Sequence, residues 1–143
     1  MSSITVILGV SGFVLFTIGL LIGFFIPKFR NPRMGLSAHL TACQTGPALT
    51  MFALFWTYLS VPDAVATWLI WLFIGSSYLL VLGITLAAIY GASEALPIAG
   101  GSFSASKLRE RLVSFLVKGS SVVMGLVCVV IAYFALTNIG MHL

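Results

Sequence analysis

The sequence predicts an all-α integral membrane protein, a bundle of four transmembrane helices expected to assemble into an oligomer. Two observations carry that class. Of 143 residues, 60% are hydrophobic and 7% charged, whereas soluble domains carry about a quarter charged residues. Four unbroken apolar stretches, at about residues 4–26, 36–61, 64–91 and 111–137, each reach the roughly 20 helical residues that cross a hydrocarbon core about 30 Å thick. Strands of a membrane barrel alternate lipid-facing and lumen-facing residues over about 10 positions. These runs do not alternate, so a barrel is excluded. Little chain is left over, and residues 1–143 read as a single transmembrane domain.

The first stretch is expected to be a mature helix rather than a signal peptide, since no basic residue precedes it and it exceeds the ~7–15 residues of a signal core. Its Gly19-x-x-x-Gly23 spacing lets another backbone approach closely. The connection after it carries Lys28, Arg30 and Arg33, and the third connection carries Lys107, Arg109 and Arg111, while the turn at Val61-Pro62-Asp63 has no positive charge. The bias puts the first and third connections in the cytoplasm and both termini outside, in a bacterial inner membrane. The formal net charge of +4 then reads as topology signal and attraction to anionic lipid head groups, with no nucleic-acid partner implied. Trp56, Tyr58, Trp68 and Trp71 gather near the other end, as an interfacial aromatic belt does. The third connection, residues 91–111, is rich in Gly, Pro and Ser, which predicts either a flexible cover or a plain linker. Ser106 stands where it can cap the fourth helix. Small residues recur at Gly75-Ser76-Ser77, at Ala87-Ala88 and at Gly119-Ser120-Ser121, again favouring close packing within the bundle and between copies.

The second stretch is the anomaly. "GLSAHLTACQTGPALTMF", residues 35–52, brings a histidine, a cysteine, a glutamine and threonines into an otherwise apolar span. His39 lies about 6 Å inside the expected helix start, and Cys43 and Gly46 share its face at i+4 and i+7. Pro47 deprives the Cys43 carbonyl of its helical partner. Two readings of His39 stand: an interhelical hydrogen-bonding residue, or a metal or haem ligand through neutral imidazole. His142, at the far end of the chain, is expected on the opposite membrane face, so a haem held by two histidines of one protomer is disfavoured. Arg33 and Lys118 are placed to hold haem propionates, or serve as topology signal and as a lysine snorkelling to head groups. Cys43 and Cys128 lie within helices and predict no disulfide.

"NPRMGLSAHL" (residues 31–40), "LAAIYGASEALPIAG" (86–100) and "AHLTACQTGPALTMF" (38–52) resemble the small four-helix membrane family of hydroxylaminobenzene mutases and styrene oxide isomerases. The resemblance spans most of the chain. It implies an intramolecular rearrangement, hydroxylamine to aminophenol in one branch and epoxide to aldehyde in the other. It also implies, from the epoxide branch, a homotrimer with ferric haem b near subunit boundaries and a histidine ligand, which falls on His39. Relatives commonly carry an asparagine where this chain has Thr45 and another that aligns with Leu79. A leucine cannot hydrogen-bond a substrate, so Thr45, Ser77 and Tyr78 become the candidates for orienting one.

The function expected is therefore that of a membrane isomerase, acting on a small aromatic substrate drawn from the lipid, with haem b bound through His39. The rival from another class is a non-catalytic haem-binding or sensing module. A proton-coupled exporter needs an embedded carboxylate, and the only acids are Asp63, Glu94 and Glu110.

Overall fold

A computed structural model describes the backbone of residues 3–142 and the side chains of residues 4–138. The chain forms α1 (Ser3–Phe25), α2 (Pro32–Phe55), α3 (Asp63–Tyr90), a short α4 (Pro97–Gly100) and α5 (Lys107–His142), with 3-10 turns at Ile26–Lys28 and Trp56–Tyr58. Among the described residues three helices, α1, α3 and α5, are long and apolar enough to cross a membrane. At 24 residues α2 has the length, but its His, Gln, Thr and Arg residues make it too polar to join them on composition. His142 ends α5, and its side chain lies outside the described residues.

The helix ends depart from the expected ones for local reasons. α2 starts at Pro32 rather than 36, because Asn31 accepts from the Met34 N–H at 3.1 Å as N-cap and Pro32 supplies a pre-set φ at the first helical position. It stops at Phe55 rather than 61, since the backbone tightens into the 3-10 turn and then extends toward Pro62. α5 starts at Lys107, four residues before the apolar run. Ser106 precedes it, its carbonyl accepting from the Glu110 N–H, and the Glu110 side chain turns back to accept from the Ala105 N–H at 2.9 Å.

α2 packs between α1 and α3, while α5 docks on α3 and makes no comparable contact with α1 or α2. The α1/α2 seam is backbone against backbone: a Cβ added at Gly12 would lie 2.5 Å from the Gly46 carbonyl oxygen. Phe52 and Phe73 meet edge to face at 5.0 Å across α2 and α3. Gly83 packs on Leu116 and Val117 across α3 and α5. Trp56 is buried in the core, whereas Tyr58, Trp68 and Trp71 are exposed. The expected aromatic belt thus lacks Trp56.

The connection between α3 and α5 is fastened rather than a free cover. The Glu110 carboxylate is 4% exposed and accepts from the backbone N–H groups of Ser93, Glu94 and Ala105. Asn31, 0% exposed, donates through Nδ2 to the carbonyls of Ala99 and Gly100, and its own N–H donates to Ala88. Arg109 stacks over the Tyr90 ring at 4.7 Å, and Arg30 donates to the Tyr90 carbonyl at 3.0 Å. These bonds hold one end of the bundle, from which α2 carries His39 inward.

Candidate active site around His39

His39 stands on the face of α2 that meets α1. Its Nδ1 lies 2.7 Å from the carbonyl oxygen of Gly19. A carbonyl only accepts, so Nδ1 carries the proton in this bond and the neutral ring keeps its lone pair on Nε2. Nε2 has no hydrogen-bond partner among the described residues and is not sealed in the interior. The Cys43 sulfur sits 3.8 Å from Nδ1, one turn along α2. Cys43 and Cys128 are both free thiols.

This arrangement suits the donor that a haem iron takes: a neutral imidazole whose second nitrogen is oriented by a backbone carbonyl, with the first left open. Among the described residues no group of three or more His, Cys, Asp or Glu side chains could hold a metal ion by itself. A lone imidazole fits a group that brings most of its own metal ligands.

The other residues singled out from the sequence are dispersed. Arg33 is exposed in the first turn of α2, six residues before His39. Lys118 is exposed on α5, which packs on α3, so it and His39 occupy opposite flanks of one protomer. Thr45 is half-buried and its hydroxyl has no partner among the described residues. It lies about 9 Å along the helix axis from His39 and about 120° around it. Ser77 is 0% exposed and donates to the Phe73 carbonyl at 2.6 Å, facing the Met124 sulfur across the α3/α5 seam. Tyr78 donates to the Ser11 carbonyl of α1 at 2.9 Å. In the isolated chain both of these hydroxyl protons are thus committed to backbone. Tyr78→Phe should lower thermal stability by about 0.5–1.5 kcal/mol, the net worth of one such bond, as read from unfolding in detergent.

Leu79 is exposed and, with Trp71, Gly75, Ser76, Phe115 and Gly119, lines an apolar groove of about 310 Å³ between α3 and α5. The Ser76 hydroxyl in it bonds back to Phe73 on its own helix. Sequence reasoning passed over Gln44, whose carboxamide is exposed and has no partner among the described residues. Its signal was legible: an amide midway along a helix otherwise facing apolar surroundings.

Apolar helices packed around one oriented imidazole with a free Nε2 define a helical protein of membrane type with a single-donor site. The chain belongs to the styrene oxide isomerase family, whose model matches residues 5–136, and is by family an isomerase. It is 45% identical over 107 residues to hydroxylaminobenzene mutase HabA of Ectopseudomonas oleovorans, covering 74% of this chain and 79% of that protein. It is 34% identical over 118 residues to hydroxylaminobenzene mutase HabB of the same organism, covering 82% of this chain and 72% of that one. No solved structure matches the chain.

Proposed function

We propose that this protein rearranges an arylhydroxylamine into an aminophenol inside a bacterial inner membrane, with haem b held by His39. The observation that supports the reading is the Nδ1–H bond to the Gly19 carbonyl, which leaves the Nε2 lone pair open. The names of the two relatives favour the hydroxylamine over the aryl epoxide, which is the second substrate class to test. Substrate and product are isomers in either case, so no external oxidant or reductant is required.

Haem b bound there would supply a Lewis-acidic ferric centre that accepts a heteroatom lone pair without net electron transfer. The chain's own parts do the holding. Gly19 keeps the Nδ1 proton in place and so keeps Nε2 basic. Arg33, near the same end as His39, offers a guanidinium to a propionate. Lys118 serves as the second cation only if it comes from a neighbouring copy, because α3 separates it from His39 within one protomer. The site then lies between the α1/α2 flank of one copy and the α3/α5 flank of the next, an arrangement compatible with the homotrimer that the family resemblance implies. The apolar groove beside Leu79 then accommodates an aromatic ring by van der Waals packing, since lipid supplies no hydrophobic drive. The Thr45 hydroxyl, without a partner among the described residues, is the group that orients the substrate heteroatom. Ser77 and Tyr78 act on substrate only by giving up their present backbone bonds. In the membrane α2 crosses as the fourth span, its polar face turned to the site, with loops 26–31 and 91–106 on the cytoplasmic side and both termini outside.

Detergent-purified protein should show a Soret band and convert phenylhydroxylamine, and His39→Ala should lose both while remaining folded. An undiminished band in that variant refutes His39 as the ligand. A wild-type band without turnover of phenylhydroxylamine or an aryl epoxide leaves a haem-binding module instead.

A further inference from the structure

The Gly19-x-x-x-Gly23 pair reads from sequence as a generic helix-packing motif, yet its two glycines meet different things. At Gly19 an added Cβ would strike the Cβ of Ala42 at 2.8 Å and the Cys43 backbone nitrogen at 3.1 Å. At Gly23 it would meet only the His39 ring, 3.0 Å from Nδ1 and 3.1 Å from Cε1. Gly23 lies one turn beyond Gly19 on α1, so the carbonyl that accepts the helix's own bond at that turn also receives the Nδ1 proton. The ring is thus bounded on one side by the Gly23 Cα and fixed at one corner by Gly19.

We propose that Gly23 is a positioning residue for the His39 imidazole: the missing side chain lets the ring reach the Gly19 carbonyl, which selects the Nδ1–H tautomer and sets where Nε2 stands. The consequence for haem binding rests on the function proposed above, while the tautomer does not. A methyl at residue 23 forces the ring back by a few tenths of an ångström. That displacement acts directly on a 2.7 Å bond, turning the N–H out of line with the carbonyl, and a bent bond weakens steeply. Nε2 shifts with the ring. Alanine favours helix more than glycine does, so the effect does not arise from the helix itself.

The test uses the full chain in detergent with ¹⁵N-labelled histidine, in a His142→Gln background so that one imidazole reports. The parent protein should show the Nδ1–H tautomer with or without haem. Gly23→Ala should shift the population toward Nε2–H and lower the Soret absorbance per protein after loading with haem, at unchanged helical content. Gly9→Ala is the control on the same helix, because its Cβ would stand an ordinary 3.7 Å from that of Ala53, and neither readout should move. An Nε2–H tautomer in the parent overturns the proposal even if Gly23→Ala fails to fold. A Gly23→Ala protein with parental tautomer and parental haem loading overturns it too. A parent with the Nδ1–H tautomer but no Soret band supports the positioning role and removes the haem reading.

Discussion

Gly46→Leu should abolish accumulation of folded protein. A Cβ alone at residue 46 would lie 2.7 Å from the Gly12 carbonyl oxygen and 2.7 Å from the Phe16 nitrogen. Both are backbone atoms, so relief requires moving α1 and α2 apart rather than turning a side chain. Overpacking a tight interior costs about 1–3 kcal/mol and occasionally more, and alanine should already reach that range. Leucine adds three further heavy atoms to a seam with no space for the first. Native stability is typically about 5–15 kcal/mol, so prising this seam apart removes much of it, together with the Thr50 bonds to Gly46 and Gly9 and the His39 bond to Gly19. Size exclusion and thermal unfolding in detergent measure the effect. Gly75→Ala supplies the contrast, since nothing stands within 4 Å of its added Cβ, and it should be neutral or mildly stabilising. A Gly46→Leu protein that unfolds at the parental temperature would show that α1 and α2 do not pack as described.

Glu110→Ala should release the segment between α3 and α5. The carboxylate accepts from three backbone N–H groups, at 2.9 Å from Ala105 and 3.1 Å from each of Ser93 and Glu94, in a position nearly closed to water. Leaving a buried donor unsatisfied costs about 1–3 kcal/mol. With three donors, part of the loss is recovered as water enters, and a fall of about 3 kcal/mol is expected. Glu110→Gln should fall between the two, because its amide keeps one acceptor oxygen and presents an NH₂ group to the remaining donors. Protease should then cut within residues 93–106 of the alanine variant and spare the parent. The Asn31 bonds to Ala99 and Gly100 remain, so the segment should loosen at its α5 end first. Resistance equal to the parent would mean that Asn31 and the Arg109–Tyr90 stack hold the segment unaided.

His39 was legible as a residue because an imidazole is rare in an apolar helix, but its two nitrogens were not distinguishable. Which one is occupied depends on Gly19, twenty positions away in the chain, and only helix docking brings that carbonyl to it. Ser77 and Tyr78 stood out as polar groups beside the expected asparagine position, and the sequence had no means of revealing that their hydroxyls are already bonded to Phe73 and Ser11. In the sequence Glu110 is one of three acids, with nothing that marks it as a fastener. Its role arises from three N–H groups that converge only after the segment folds over the start of α5.

Hydropathy and composition determined by themselves that the chain is helical, where apolar helices of spanning length run, and that α2 is the polar one. Those properties follow from transfer free energies and from backbone bonds made within a single helix. Tertiary structure alone decided which glycines are indispensable, which hydroxyls are free and which face of His39 is open. Each of these depends on an atom from another helix lying within about 3 Å, and no distance along the chain encodes that approach.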